Sequence, residues 1–361
     1  SVDSGGLPVP WYAVYGNHDT LLLGTLGVPF GLRELAVGGR KYWDWSPLAM
    51  DYLQSWTADA SALTRMVHAA TSVLGLSYGQ RAVAADPARA LLEPGEFMAA
   101  HFDTTPFPGP VGHGFTAEGM AAGRTYWTVD VGPAVRAFGL DTCNAVAGPD
   151  GAVPRAQFDW LEAELGRAQA ERRLALVFSH HNSLTLENDA ALATDPQDLV
   201  HAEEFVSMLL RYPCAVAWVN GHSHINTVVA HPRRADDGPP GGLWEITTAS
   251  CVDFPQQQRV IEVVDNRDGT VSIFGTAIDH AAPAAWTGDL SPEGLASLSR
   301  EFSANDWVET PSMRPGSLLD RNVELLMPAP FDLSTLTDAQ LEAAQAADRA
   351  RLAAWEAGWP A

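Results

Sequence analysis

The sequence has 361 residues, 46% of them hydrophobic, which is enough for the core of one large domain with an appendage. Its 44 acidic and 22 basic residues give a formal net charge of −22, which argues against a surface for nucleic acid or anionic membranes. A phosphate ester substrate is compatible with this charge, because a bound metal ion creates a stronger field at contact distance. No apolar run approaches the roughly 18 residues of a membrane-spanning helix, so none is predicted.

The first predicted element is a short apolar, β-prone run over residues 10–15. It ends in Gly16-Asn17-His18-Asp19, which places an amide, an imidazole and a carboxylate side by side. A continuous apolar run is the pattern of a strand buried on both faces. We therefore predict a strand that delivers these polar side chains at its carboxyl end.

Residues 20–122 form a long irregular region, with a helix predicted over residues 60–74 and a loop rich in proline and glycine over residues 102–114. Loops on the site face of an α/β domain commonly set substrate choice. His113, in this loop, and Arg124, just beyond the region, are therefore candidates for a lid or a phosphate clamp. The alternative is that both are solvated loop positions.

Strands and helices then follow one another along the chain. Strands are predicted at residues 126–131, 137–142, 174–178, 215–219, 243–249, 259–264 and 270–277, and helices at residues 154–170 and 202–211. Two of these strands, 174–178 and 215–219, are apolar pentapeptides like the first run. They end in Ser179-His180-His181-Asn182 and in Asn220-Gly221-His222-Ser223-His224.

Residues 283–361 differ in character and are predicted to be a C-terminal helical extension of a domain that spans residues 1–282. One helix is expected to begin at Ser291-Pro292, where a cap precedes a proline in the first turn. Another is expected to begin at a capping box of Thr337 and Gln340 and to run to about residue 356. Packing against the main domain is the expected role, and docking to a partner subunit is the alternative.

The three cysteines, Cys143, Cys214 and Cys251, cannot all pair within the chain. Each lies in or beside an apolar stretch, where a free thiol behaves as a small hydrophobic group. Free buried cysteines are therefore expected rather than a disulfide framework.

The three apolar runs end in a set of polar residues that includes five of the eleven histidines. In open α/β sheets ligands bind outside the carboxyl ends of the strands, so we expect these three ends to converge on one site. A single histidine after a strand is usually structural, but five at three such ends indicate a metal site. Imidazole nitrogens and an amide oxygen suit Zn, Mn, Fe or Co better than Ca or Mg.

The order and strand context of these motifs resemble a known family. Gly16-Asn17-His18-Asp19, a strand ending in His180, and Gly221-His222-Ser223-His224 are similar to the last three motifs of the calcineurin-like metallophosphoesterase superfamily. The resemblance covers most of residues 11–283 and is to secreted bacterial members. It implies an α/β fold, a four-layer αββα sandwich with two mixed sheets, and a secreted or cell-envelope location.

The resemblance also implies which residues bind metal. Asn17, His180 and His222 would be ligands of one ion, and His224 a ligand of its neighbour, in a centre of two divalent or trivalent ions such as Mn, Fe, Zn or Co. Of the two adjacent histidines, His180 is the expected ligand because it directly follows the strand. His181 is expected to lie just outside the ligand set, as a candidate substrate contact.

By the same resemblance, the reaction would be hydrolysis of a small-molecule phosphate ester, either a phosphomonoester or a phosphodiester. A metal-bridging hydroxide would attack phosphorus in line with the leaving group. His18 would be the general acid and phosphate contact, and Asp19 would orient it.

The sequence departs from the family pattern in one respect. The family has two further motifs, D-x-H and G-D-x-x, upstream of Gly16, and residues 1–15 contain neither. Two cations about 3.5–4 Å apart repel strongly without a bridging carboxylate, so one metal is expected in this chain alone. A companion N-terminal fragment of the same protein is expected to supply the rest. The alternative is a catalytically inactive metal-binding or interaction module.

Overall fold

A computed structural model of the chain describes residues 7, 9–22, 24–25, 27, 32–44, 79–103, 109–144, 148–189, 198–235, 238–307 and 313–358. The α/β class is as predicted. The helix predicted over residues 60–74 lies outside the described ranges. Within those ranges, none of the helices combines the length and the apolar character needed to cross a membrane.

The strands are, in chain order, β1 (Arg40–Asp44), β2 (Gly79–Ala82), β3 (Trp127–Val131), β4 (Val135–Gly139), β5 (Val153–Pro154), β6 (Leu174–Phe178), β7 (Leu199–Val200), β8 (Ala215–Asn220), β9 (Thr227–Pro232), β10 (Gly242–Thr247), β11 (Gln257–Asp265), β12 (Thr270–Asp279) and β13 (Val323–Pro328). The α-helices are α1 (Asn17–Thr20), α2 (Leu32–Val37), α3 (Pro94–Ala100), α4 (Ala117–Ala121), α5 (Arg155–Ala170), α6 (Ala202–Arg211), α7 (Pro292–Ala304) and α8 (Asp338–Gly358). Short 3-10 turns lie at Pro87–Arg89 and Leu318–Asp320.

The central sheet has six strands in the order β3-β4-β6-β8-β10-β9. The four inner strands are parallel, and β3 and β9 pair antiparallel at the two edges. Their continuous apolar sequences explain why β6 and β8 lie in the middle, where a strand is covered on both faces. The predicted strands at 174–178 and 215–219 are confirmed.

Helices cover one face of this sheet. Leu161 and Leu165 of α5 and Met208 and Leu209 of α6 are fully buried in the cluster that contains Trp218 of β8. Leu161 and Leu165 are one helical turn apart, and Met208 and Leu209 are adjacent, so each pair lies on one side of its helix. Each helix therefore turns a single apolar face toward the sheet. The helices predicted at 154–170 and 202–211 are therefore confirmed.

A second sheet, in the order β11-β12-β13, packs on the other face. Its buried side chains, among them Ile273 and Leu325, share one cluster with Val216 and Ile246 of the central sheet, which makes the two sheets a sandwich. The resemblance predicted a mixed second sheet, but these three strands are antiparallel. Antiparallel pairing of β11 with β12 follows from the short hairpin at residues 266–269, since parallel strands need a long crossover.

The region predicted as a helical extension also supplies a strand. Helices α7 and α8 begin as predicted, with Ser291 Oγ accepting from Gly294 N (3.1 Å) and Thr337 N donating to Gln340 Oε1 (2.9 Å). Between them, β13 pairs with β12 and completes the second sheet. Its six residues alternate buried and exposed positions, a signal too short to stand out in the sequence. The domain boundary at residue 282 stays a prediction.

The prediction of a strand over residues 10–15 is wrong, because these residues are not part of a β-strand in the structure. Their backbone bonds to a loop instead: Trp11 N donates to Gly109 O (3.3 Å) and Ala13 N to His113 O (2.8 Å). An apolar run predicts burial, and here Tyr15 is buried as expected, but a strand also needs a neighbouring strand with which to pair.

All three cysteines are free, as expected. Cys143 and Cys214 are buried, and burial raises the pKa of the Cys214 thiol to about 12. The expectation of burial is wrong for Cys251, which is exposed. It lies beyond the last residue of β10, in the turn that leads to β11, so the apolar stretch before it does not cover it.

Candidate metal centre

The centre forms where two neighbouring parallel strands end. Phe178 of β6 is in register with Val219 of β8, so His180 and His222 leave the sheet at the same edge. Gly221 N donates to His180 O (2.9 Å), which ties the two loops together just beyond the strands. The expected convergence of these two strand ends is therefore observed.

Asn17 enters the centre from α1. Gly16 N donates to Asp19 Oδ2 (2.7 Å) at the helix start, and Asn17 Nδ2 donates to Gly24 O (2.7 Å). Because the amide nitrogen is used by a carbonyl, the orientation of the Asn17 amide is fixed and Oδ1 points the other way. Oδ1 lies 2.8 Å from His180 Nε2.

Three ligand atoms thus meet. His180 Nε2 lies 2.8 Å from Asn17 Oδ1 and 3.0 Å from His222 Nδ1. Burial, and then the nearby histidines, lower the pKa of His180 to about 2, and burial also lowers the pKa of His222. Both imidazoles are therefore neutral at neutral pH, the form that binds a metal ion.

The donor set fits one borderline divalent ion. Two neutral imidazole nitrogens and one amide oxygen, from three segments of the chain, face one another. Nitrogen and oxygen ligands of these types suit Mn, Zn, Fe or Co. The backbone is shaped to admit the His180 ring, since a Cβ on Gly16 would lie 2.6 Å from its Nδ1 and Cε1. Among the described residues, His180, His181 and His222 form a group of possible metal ligands. Their ligand atoms all lie within 4.8 Å of one another.

His181 belongs to that group but is engaged elsewhere. Its Nε2 lies 2.8 Å from Pro149 O and its Nδ1 2.8 Å from Thr142 Oγ1. A carbonyl oxygen only accepts, so Nε2 carries the proton and Nδ1 accepts from the hydroxyl. Burial, and then His222, lower the pKa of His181 to about 4. This supports His180 as the ligand of the pair, and the fully buried position of His181 lends no support to a direct substrate contact.

His18 and Asp19 lie at the exposed side of α1. The His18 ring packs close to Gly24, where a Cβ would lie 2.5 Å from His18 Nε2. Gly24 is also the residue whose carbonyl accepts from Asn17 Nδ2, so the His18 ring packs on the loop that orients the Asn17 amide. Asp19 caps the helix start by accepting from Gly16 N. The roles of His18 as acid and of Asp19 as its orienting group stay predictions.

His224 lies beside the centre. Its Nδ1 contacts Asp253 Oδ2, and Arg314 Nη1 lies 2.6 Å from the same carboxylate oxygen. Both His222 and His224 have left-handed backbones, with φ of 64° and 57°. That conformation is uncommon for residues other than glycine and is often found at functional sites.

The structure places the two remaining candidates in other surroundings. His113 is 1% exposed and stacks on Trp11 with ring centroids 3.3 Å apart. Arg124 pairs with Glu118 (3.1 Å) at the end of α4. Their roles as lid or phosphate clamp stay predictions.

Buried polar residues hold the loops of the centre together, and of these Glu245 had no role in the sequence-based prediction. Glu245 of β10, 1% exposed, accepts from Ser183 N (2.8 Å) and Asn220 Nδ2 (3.0 Å) and lies 2.8 Å from His231 Nε2. Asn182 Nδ2 donates to Gly221 O (3.1 Å), which joins the same two loops. A carboxylate between apolar residues of a predicted strand was the available signal for Glu245.

The chain resembles the calcineurin-like metallophosphoesterase superfamily in its motifs and in its α/β sandwich. Over 111 residues it is 30% identical to the manganese-dependent ADP-ribose/CDP-alcohol diphosphatase of Xenopus tropicalis, a match covering 30% of this chain and 28% of that protein. A dimetal phosphatase from Danio rerio superposes with a TM-score of 0.30 at 16% identity, covering 46% of this chain and 64% of that one. No family model matches the sequence.

Proposed function

We propose that this chain carries the site of a metal-dependent phosphoric ester hydrolase that cleaves a diphosphate or phosphodiester bond in a small molecule. The observation that carries the proposal is the meeting of Asn17 Oδ1, His180 Nε2 and His222 Nδ1 at the carboxyl edge of β6 and β8. The similarity to a diphosphatase of ADP-ribose and CDP-alcohols favours a diphosphate over a monoester.

The chain's own residues divide the work. Asn17, His180 and His222 would hold one divalent ion, with His224 directed to a second ion. A bound ion of this kind supplies a water of lowered pKa and polarises a phosphoryl oxygen. His18, which is exposed on α1, would give a proton to the leaving oxygen. A companion N-terminal fragment and a secreted or cell-envelope location stay predictions from the resemblance.

Activity on paired substrates tests the proposal. Protein supplied with Mn²⁺ should release products from ADP-ribose and from bis(p-nitrophenyl) phosphate faster than from p-nitrophenyl phosphate. A preference for the monoester would favour a phosphatase.

His18→Ala tests the assigned acid. We expect turnover to fall by about 10²–10⁴-fold, as for loss of a general acid, while the bound Mn²⁺ per chain stays unchanged. His201→Ala, which alters a histidine before α6, is the control and should leave both values unchanged. Loss of metal from His18→Ala would contradict the assigned role.

A catalytically inactive metal-binding module is the second candidate. It is favoured by the absence of a carboxylate from the described histidine group. This alternative predicts metal binding without hydrolysis of any of the three substrates in the presence of Mn, Zn, Fe or Co.

A further inference from the structure

His224 has a carboxylate at hydrogen-bond distance, whereas the Asp150 carboxylate lies 3.9 Å from His222 Nε2. His224 Nδ1 faces Asp253 Oδ2 at hydrogen-bond distance, with 30% of the His224 side chain exposed. A carboxylate only accepts, so Nδ1 carries the proton and Nε2 is left as the nitrogen with a lone pair. The carboxylate therefore selects the tautomer in which Nε2 can bind a metal ion.

Asp253 is itself held in place. Arg314 Nη1 lies 2.6 Å from the carboxylate oxygen that faces His224, and the Arg314 side chain is only 9% exposed. Asp253 O also accepts from Gln256 N (2.7 Å), which closes the turn that leads into β11. Asp253 is thus held both through its carboxylate and through its backbone carbonyl.

The same arginine also holds the backbone beyond His224. Asn226 N donates to Arg314 O (2.9 Å), and the buried Asn226 side chain accepts from Ala249 N (3.0 Å) and donates to Gln257 Oε1 (2.8 Å). The loop that carries His224 is therefore tied to residues on both sides of Asp253. The left-handed backbone of His224 is kept by these contacts and not by local preference.

We propose that Asp253 is a positioning residue that holds His224 with Nε2 directed to the metal centre, and that Arg314, from the C-terminal region, holds Asp253. This inference rests on the proposed metal-dependent function. Carboxylates that accept from a ligating histidine fix its tautomer and ring orientation, and their loss typically weakens metal binding about 10–100-fold. The C-terminal region thereby becomes part of the site.

Metal affinity and the His224 tautomer test the proposal together. We expect Asp253→Ala to weaken binding of the Mn²⁺ ion assigned to His224 by about 10–100-fold in a calorimetric titration, while the ion assigned to Asn17, His180 and His222 keeps its affinity. Where the wild type holds a single ion, the tautomer alone decides. Asp253→Asn, which keeps an acceptor but not the charge, and Arg314→Gln should fall between this variant and the wild type. In ¹⁵N-edited NMR spectra of the metal-free protein, His224 should carry its proton on Nδ1 in the wild type and shift toward Nε2 in Asp253→Ala.

Asp159→Asn, at an exposed position of α5, is the matched control and should leave both readouts unchanged. Thermal unfolding within a few degrees of the wild type shows that each variant folds. If Asp253→Ala and Asp253→Asn both fold and bind Mn²⁺ like the wild type, with an unchanged tautomer, the inference is overturned.

The two proposals fail in different ways. A wild-type protein that binds Mn²⁺ but hydrolyses none of the substrates overturns the proposed function, while the affinity and tautomer of the Asp253 variants still decide this inference. A wild-type protein that binds no metal overturns both.

Discussion

Gly16 shows how one residue can decide whether a ligand reaches its place. A Cβ at this position would lie 2.6 Å from the His180 ring, closer than side chains normally approach. The Gly16 backbone itself has φ of −111°, a value open to any residue. The need for glycine therefore comes from contact with the ligand and not from the turn.

Gly16→Ala should therefore displace the His180 ring and weaken Mn²⁺ binding by about 10-fold or more, the effect of disturbing a ligand's orientation. Calorimetric titration with Mn²⁺ measures it. Gly166→Ala is the control: its Cβ would lie 3.8 Å from Tyr212, and alanine within α5 should stabilise the fold by about 0.5–1 kcal/mol. Unchanged Mn²⁺ affinity in Gly16→Ala would show that the ring can move without loss.

At the level of the elements, β10 links the two loops that carry His180 and His222. Glu245 at its centre binds Ser183 N in one loop and Asn220 Nδ2 at the end of β8. Burial opposes ionisation of Glu245, but hydrogen bonds from His231, Ser183 and Asn220 outweigh it and hold the pKa of Glu245 below its ordinary value. The carboxylate is charged at neutral pH and ties the strand ends together.

Glu245→Gln should lower the free energy of unfolding by about 1.5–3 kcal/mol at pH 7, the range for hydrogen bonds to a charged group. Because the folded-state pKa is depressed, this contribution is present above the unfolded pKa of about 4.3 and is lost as pH falls through the folded value. Urea unfolding between pH 7 and pH 3 should show the difference shrinking in acid.

Glu262→Gln, at an exposed position of β11, is the control and should stay within about 0.5 kcal/mol of the wild type at every pH. If the difference in the free energy of unfolding between Glu245→Gln and the wild type does not change with pH, then Glu245 contributes through its shape and not through its charge.

At the level of the whole molecule, the C-terminal region serves both the fold and the site. β13 places Leu325 and Met327, 5% and 6% exposed, in the cluster between the two sheets. Arg314 reaches the loop beyond His224. The helix α8, by contrast, is tied to the second sheet by an exposed ion pair between Arg267 and Asp338.

Two truncations should separate these roles. A chain ending at residue 337 loses α8 and should unfold cooperatively within about 1 kcal/mol of the full chain, since an exposed ion pair contributes little. A chain ending at residue 322 also loses β13, whose buried side chains contribute about 1.5–3 kcal/mol each, and leaves β12 as an open edge. We expect it to aggregate, as measured by size-exclusion chromatography. Equal behaviour of the two chains would contradict this role of β13.

Residue types at short spacing were sufficient to predict the parts of the protein that local chemistry controls. The apolar runs predicted β6 and β8, the capping residues predicted the starts of α7 and α8, and the motif order predicted that Asn17, His180 and His222 lie together. Buried strands, helix caps and metal ligands each depend on residue types at short spacing, so they can be read without the fold.

Which segments meet depends on how the whole chain packs, and could not be predicted in this way. The tertiary structure made residues 10–15 a loop-bound segment without strand pairing, brought β13 into the second sheet, and engaged both nitrogens of His181 with Thr142 and Pro149. It also brought Glu245 to Ser183 and Asn220, and Asp253 to His224. Hydrogen bonds of this kind join residues that are far apart in the sequence. Each buried polar group pairs with a partner that the packed core brings close to it, and one sequence alone does not show which residue that is.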